Sequence, residues 1–175
     1  MQIDVRVDVE KAIRSLWVMQ RDVNTAAAAA LNRVGVTARA AAAREISKAS
    51  GLPVNQVRKH VPLVRANKWN LQCEISARPY APNLIRYSAR QTKAGVSANA
   101  WRKRKVYRGT FIANKGRTVF KRVGPARLPI KAVYGPSVRR EFIRDTVAKA
   151  INTTVEQRFA LEFDRALTAL LKRRR

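Results

Sequence analysis

Apolar residues recur at helical spacing near both ends of the chain and alternate with polar residues in its middle. Near the amino terminus they are spaced three or four apart from Val9 onward, and an alanine-dominated run then leads to Ser50-Gly51. Alanine has the highest helix propensity, and glycine commonly follows the last residue of a helix. The pattern therefore predicts helices over residues 9–22 and 24–50, and a short third helix extends the helical region to residues 9–60.

Strand patterns fill the middle of the chain. Alternating apolar residues predict a short strand at residues 3–7 and an amphipathic strand at 69–75, with Cys73 on its apolar side. A further strand is expected at 84–88, followed by a mobile loop at 89–100 that is rich in small and polar residues. Because no base partner is indicated for Cys73, we expect a buried, inert thiol.

The clearest β pattern is a hairpin followed by a third strand. Two alternating segments, 106–113 and 118–123, flank a turn at Asn114-Lys-Gly-Arg117, and residues 130–134 supply the third strand. We therefore place a central, mainly antiparallel β-sheet in residues 68–135.

A long C-terminal helix is predicted over residues 137–172. Ser137 suits the N-cap, acidic residues lie near the start and basic residues crowd the end, as the helix dipole favours. Its apolar stripe consists of Val147, Ile151, Val155, Phe159, Phe163, Leu167 and Leu170/Leu171. Core packing is one interpretation of the stripe. A subunit interface at Phe159, Phe163 and Leu167 is the other, and exposure of these side chains in a monomer would favour it.

These elements predict an α+β fold in a single domain, residues 1–175. N-terminal helices precede the sheet, and the long C-terminal helix packs on it. With 46% hydrophobic residues the chain has enough apolar content for a core, which distinguishes it from a disordered basic tail.

Charge changes the picture more than any single motif. The 175 residues include 37 Lys and Arg against 11 Asp and Glu, a formal net charge of +26. Between Glu74 and Glu141 there is no carboxylate, yet this acid-free tract holds seventeen Lys and Arg residues. A surface of this density requires an anionic partner, either a phosphate backbone or an acidic protein face. Binding or assembly is therefore the expected function.

The candidate contact residues are cations in and beside the predicted hairpin: Arg102, Lys103, Arg104, Lys105, Arg108, Lys115, Arg117, Lys121 and Arg122. The run 102–105 also has a simpler interpretation, as charges that keep a strand edge from pairing wrongly. Trp101 and Tyr107 flank this run, but only 7% of the residues are aromatic, which disfavours a stacking platform for single strands. Duplex backbone or acidic protein is the favoured contact.

Several other functions are disfavoured by the residue inventory. One cysteine and one histidine, His60, allow neither an internal disulfide nor a Cys/His metal site, and a cytosolic assembly environment fits. No signal-peptide pattern or membrane-spanning apolar stretch is present, so we expect no membrane partner. The carboxylates are scattered, without a convincing two-metal set for a nuclease. We therefore expect no enzyme activity and no cofactor.

A family resemblance emerges from the hairpin and from the order of the elements around it. The motifs that carry it are Gly109-Thr-Phe-Ile112, Asn114-Lys-Gly-Arg117, Val119, Arg122-Val-Gly124, Leu128-Pro-Ile130, Val133 and Gly135-Pro136-Ser137. The order of the surrounding elements is also the same as in that family's pattern. It consists of an alanine-rich helix containing Ala30-Leu-Asn-Arg33, a basic run before the hairpin, and a C-terminal helix that ends in basic residues. Together they resemble the phage minor tail protein Z family, and because the motifs are glycines, prolines and apolar residues they imply no active site.

The resemblance implies a virion protein in the neck of a long-tailed phage, assembled in the host cytoplasm. Its expected work is tail completion and head-tail joining around the DNA channel. Its expected partners are other neck and tail proteins, namely tail terminator, head-closure or connector proteins, with further copies of itself in a homo-oligomeric ring and non-specific contact with genomic DNA. A small basic RNA- or DNA-binding protein of ribosomal type remains the alternative, and co-purification with tails or with ribosomes separates the two.

Overall fold

The computed structural model describes the backbone of residues 9–173 and the side chains of residues 19–173. The fold is α+β, as predicted. A long helix lies at each end of the described chain, α1 (Val9–Ser50) and α4 (Asp145–Lys172), and three small antiparallel sheets come between them in sequence. The single central sheet of the prediction is thus divided into three, and the predicted strand at 3–7 lies outside the described residues.

α1 is one continuous helix of 42 residues, where the sequence predicts two. The predicted break near Asn24 fails because no proline or glycine interrupts the chain there. The hydroxyl of Thr25 donates to the carbonyl of Arg21 at 2.7 Å, so it is satisfied inside the helix and does not cap a new one. The helix ends as predicted: Gly51 adopts a φ of +81° and its N–H donates to Ser47 O at 3.0 Å.

The C-terminal helix packs chiefly on α1, a contact that the prediction did not include, and its residues Ile151 and Val155 line a cavity together with Cys73 and Ile75. Arg33 contacts Glu162 and Thr37 contacts Arg158, so the two helices run antiparallel. The physical reason is the alanine stripe of α1, whose small side chains let the backbones approach closely: Ala26, Ala30, Ala38 and Ala42 are fully buried. A short helix, α3 (Val138–Phe142), precedes α4, so the predicted helix over 137–172 is also interrupted.

The hydrophobic core lies between the C-terminal half of α1, the short helix α2 (Val54–Lys59), α3 and the inner faces of the sheets. α2 matches the predicted short helix. The side chains that fill the core include Ala43, Ile46, Leu52, Val57, Val61, Leu84, Tyr87, Val96, Val119, Val138 and Val147.

The first sheet is a ribbon of two short strands, β1 (Leu63–Val64) and β2 (Glu74–Ile75). Most of the predicted strand at 69–75 is therefore wrong. The Asn67 side chain accepts hydrogen bonds from the N–H groups of Trp69 (2.9 Å) and Asn70 (2.8 Å), which makes a local turn and leaves the Trp69 side chain 82% exposed. An alternating apolar pattern here marks an exposed turn, not a buried strand face.

The second sheet has the order β3-β4-β5, formed by Arg90–Thr92, Gly95–Ala98 and Lys105–Arg108. The segment 89–100, predicted as a mobile loop, is thus an ordered hairpin, and every residue of β4 is buried. The predicted strand at 84–88 is instead a 3-10 turn. Its cause is Asn83, whose side chain accepts a hydrogen bond from Ile85 N at 3.1 Å and starts the turn.

The third sheet has the order β6-β7-β8, formed by Thr110–Ala113, Thr118–Arg122 and Ile130–Ala132. It confirms the predicted hairpin, its turn and the third strand. The predicted strand 106–113 is split, however, because Gly109 adopts a φ of +69° and turns the chain from β5 into β6.

Side chains join the second and third sheets across that split. The Thr110 hydroxyl donates to Tyr107 O at 2.5 Å and accepts from Val96 N at 3.0 Å. Gln91 in β3 accepts from Ile112 N at 2.9 Å and donates to Gly95 O at 3.3 Å. The two sheets are therefore held together by side-chain hydrogen bonds at this junction.

Candidate macromolecular interface

All nine predicted contact cations are exposed, and they belong to the second and third sheets. Residues 102–105 lead from a 3-10 turn into β5, and Arg108 ends that strand. Lys115 and Arg117 lie in the turn between β6 and β7, whereas Lys121 and Arg122 lie at the other end of β7. The structure thus places the nine charges in three groups on two neighbouring sheets.

The nine cations have no intramolecular counter-charge among the described residues. Ion pairs between residues 19–173 use the carboxylates of Glu45, Glu141 and Glu162, all of which lie outside the acid-free tract. Within residues 19–173 no carboxylate balances the nine charges. An external anion can therefore bind them without breaking an ion pair of this part of the chain.

One further cation belongs to this surface and was not predicted. Lys131 in β8 lies directly opposite Lys121 in β7. Like charges directly opposite on antiparallel strands are destabilising, so this pair lowers the stability of the isolated domain. The alternating pattern of residues 130–134 predicts a strand that contains Lys131. Only the strand register shows that Lys131 lies opposite Lys121.

The chain around Trp101 is held in a strained conformation beside the basic run. Trp101 and Arg102 have φ values of +55° and +52°, and left-handed backbone costs about 1–2 kcal/mol per non-glycine residue. The Trp101 side chain is 45% exposed, and Lys105 Nζ lies 5.8 Å from its ring centre and 5.0 Å from that of Tyr107. The turn therefore presents an aromatic ring and cations together at the surface.

The four residues of the run are not equivalent. The Arg104 guanidinium donates to Ser88 O and to Ser97 Oγ, both at 3.3 Å, and so braces the second sheet. Arg102, Lys103 and Lys105 make no such side-chain hydrogen bond among the described residues. These three are the free charges of the run.

Trp101 also borders a cleft of about 420 Å³ that contains two arginines, Arg140 and Arg144. Arg144 Nε lies 2.8 Å from Glu141 Oε2, and this carboxylate is buried, so the charge of Arg144 is compensated. Arg140 is exposed and adds one more cation beside the basic run.

The predicted subunit contacts on α4 are half-buried. Phe159 and Phe163 stack with ring centroids 6.1 Å apart, and Leu167 continues their row. Nearby on the same helix, Leu161 and Leu171 are 48% and 56% exposed. Part of the apolar surface of this row is therefore exposed to solvent, although α4 also packs against α1.

The motif Ala30-Leu-Asn-Arg33 has a structural role. The Asn32 amide donates to Ala66 O at 2.9 Å and accepts from Ala66 N at 2.8 Å, which fixes the chain before β2 to α1. The Arg33 guanidinium reaches Glu162 on α4 at 3.5 Å. These contacts account for the motif by a structural role, and no catalytic role is needed to explain it.

The side chains with reactive potential have environments that suit packing. Burial raises the pKa of the Cys73 thiol, although the Ala66 backbone and Arg65 oppose the shift, so the nucleophilic thiolate is disfavoured. The sequence predicts a buried thiol, whereas the structure shows a half-buried one. His60 stacks on Tyr80 at 3.6 Å at the end of α2. Burial, with Arg78 and Lys59 nearby, lowers the pKa of His60.

The composition of the described residues also bears on metal binding and on membrane insertion. They contain no group of three or more His, Cys, Asp or Glu side chains that would hold a metal ion. None of the helices in the described part of the chain is both long enough and apolar enough to cross a membrane.

Comparison with models of protein families gives a match. A family model described as prophage minor tail protein Z matches residues 8–174. Neither the curated proteins nor the solved structures that were searched contain a match. The matched range includes every helix and strand from α1 to α4, and it favours the phage interpretation over the ribosomal one.

Proposed function

Because the chain belongs to the prophage minor tail protein Z family, whose members are structural proteins of phage tails, we propose that it acts at the head-proximal end of the tail. Family membership makes it a virion component that contacts other tail proteins. The proposal adds its place and its work, which are tail completion and the joining of tail to head around the DNA channel.

The observation that carries the proposal is the folded form of the acid-free tract. The tract holds seventeen cations and no carboxylate, and most of these cations lie on the second and third sheets and their turns. None of the nine predicted contacts has an internal ion pair among the described residues. Lys and Arg contacts to phosphates carry no sequence information, so DNA remains able to slide past. The same charges attract acidic faces of terminator, head-closure or connector proteins.

A homo-oligomeric ring is the form that fits this location. A tail has rotational symmetry about its axis, and a subunit bound at its end meets the same contact repeatedly. In this arrangement Phe159, Phe163 and Leu167 supply the contact between subunits, and the basic sheets border the channel.

A charge-reversal variant tests the proposal. Arg102, Lys103 and Lys105 are changed to Glu, and Arg104 is kept because it braces the second sheet. We expect head-tail joining or DNA retention to fall at least about tenfold, because each replaced cation removes one phosphate or carboxylate contact. Infectious titre measures joining, and circular dichroism checks that the fold is retained.

The matched control carries three Glu substitutions at exposed cations outside the acid-free tract, at Arg44, Lys59 and Lys149. Its net charge changes equally, so its joining should stay near that of the wild type. Wild-type titres from the variant at positions 102, 103 and 105 would contradict the proposal. Equal losses in both variants would do the same, because they would show a dependence on total charge alone.

A further inference from the structure

We propose that the outer face of the third sheet is the docking surface for another protein, whose contact patch is apolar at its centre and acidic at its rim. This inference rests on the proposed function and deepens it, since it assigns one surface of the subunit to a neck or tail protein and not to DNA. The outer face consists of Phe111, Ala113, Thr118, Phe120, Arg122, Ile130 and Ala132.

The third sheet has large apolar residues on both of its sides. On its inner side Val119 is fully buried, and Ile112 and Val133 pack against the core. On the opposite side the register pairs Phe111 with Phe120, and their ring centroids are 6.2 Å apart. An antiparallel sheet with one side in water normally alternates apolar and polar residues. Two aromatic rings on the side away from the core are therefore unexplained by the fold of the monomer.

The outer face has no cover within the described residues. The elements that adjoin this sheet most extensively are β4 and the 3-10 turn Leu84–Arg86, both of which belong to the core side. The two phenylalanines are half-buried because they cover each other and because the Arg122 guanidinium lies 5.7 Å from the Phe111 ring. Beyond the end of β7, Val123 and Leu128 are 54% and 67% exposed.

Charge identifies the partner. Residues 109–135 contain no carboxylate, and of their six cations Arg122 lies on the outer face and Lys115, Arg117 and Arg127 lie in the turns beside it, whereas Lys121 and Lys131 share the inner side with Val119. The same face of a second copy would bring like charges together. A phosphate backbone would satisfy the charges but offers no apolar group to the phenylalanines. An acidic protein surface with a central apolar side chain satisfies both, which is the usual composition of a protein interface.

The test removes the rings and keeps the strands. Phe111→Thr with Phe120→Thr retains residues of high β propensity, and Trp69→Thr, at an exposed aromatic outside the acid-free tract, is the control. Purified protein is added to tails that lack it, and its uptake is measured together with its affinity for duplex DNA at several salt concentrations. We expect uptake of the double variant to fall at least about tenfold, with DNA affinity and salt dependence unchanged, and uptake of the control to match the wild type.

A second pair of variants remains informative if the double variant unfolds. Ala132 is small and lies on the outer face, so Ala132→Glu should repel an acidic partner and lose uptake, whereas Ala132→Lys should keep it. Undiminished uptake of the double variant, or equal uptake of the two Ala132 variants, would overturn the docking surface and leave the proposed function standing. A loss of DNA affinity with normal uptake would assign the face to DNA. If wild-type protein itself were not taken up, the proposed function would fail as well.

Discussion

Gly135 lies where a side chain has no room. A Cβ built on it would overlap the ring of Tyr87, which is 1% exposed and whose hydroxyl donates to Pro136 O at 3.2 Å. The ring is enclosed by the core and cannot withdraw without losing that hydrogen bond. Gly124, another glycine of the family motifs, has open space at the corresponding position. Two glycines that look alike in the sequence therefore carry different constraints.

We predict that Gly135→Ala lowers the free energy of unfolding by about 1–3 kcal/mol, because the added methyl group forces the Tyr87 ring or the backbone to shift. Gly124→Ala, the matched control, should change it by less than about 0.5 kcal/mol. Urea denaturation monitored by circular dichroism measures both. Equal effects of the two substitutions would show that the Tyr87 contact is not the constraint.

At the scale of elements, the two long helices are joined by a single carboxylate as well as by alanine packing. The Glu162 side chain is 10% exposed and lies 3.4–3.6 Å from the guanidinium groups of Arg33, Arg158 and Arg165. Only Arg33 comes from α1, so this contact ties α4 to α1. Without the carboxylate, three guanidinium groups would be left close together without their common counter-charge.

We predict that Glu162→Gln lowers the thermal unfolding midpoint and reduces the free energy of unfolding by about 1–2 kcal/mol. This loss is smaller than that expected for a fully buried ion pair, because the arginines are partly exposed to solvent. Glu156→Gln, on the same helix and exposed, is the control and should have little effect. Thermal unfolding at low and high salt measures both. A deficit of Glu162→Gln that did not depend on ionic strength would argue against a charge effect.

The elements that were predictable are those whose signal is local. The alanine run, the terminal glycine and the turn at 114–117 specify their structures through propensity and turn chemistry, and each is found as predicted. The failures arise from side chains that bond to the backbone. Asn67 and Asn83 each accept N–H groups and convert predicted strands into turns. Such contacts depend on backbone geometry that an alternating pattern does not reveal.

Only part of the candidate interface was predictable from the sequence. Exposed cations can be identified from composition, because their number excludes burial without partners. The outer aromatic face could not be identified, since Phe111 and Phe120 have the residue type of core side chains. Their position away from the core follows from the register with Val119, which only the folded sheet shows.

At the scale of the whole molecule, the ion pairs and the unpaired cations lie in different parts of the fold. The ion pairs between described residues involve α1, α3, α4 and Arg144, which lies between α3 and α4. The nine predicted contact cations on the sheets and their turns form no ion pair within the described residues. A net charge of +26 produces self-repulsion that works against the compact monomer. An assembly that brings acidic or phosphate partners to the sheets offsets that repulsion, which agrees with a protein that functions inside a particle.

We predict that native tails carry several copies of this chain, in a number set by the rotational symmetry of the tail. Mass measurement of purified tails, with and without the protein, gives the number of copies. Tails from which the protein has been omitted provide the baseline for the difference. A single copy per tail would reject the ring.

The junction between the second and third sheets has a consequence for how such a surface evolves. Thr110 and Gln91 join the sheets through their side chains, so point substitutions at these positions can alter the angle between the sheets while each hairpin keeps its register. A continuous ladder would require insertions or deletions for the same adjustment. Single substitutions at Thr110 or Gln91 can therefore reshape the composite surface of the two sheets with the strand pairing left intact.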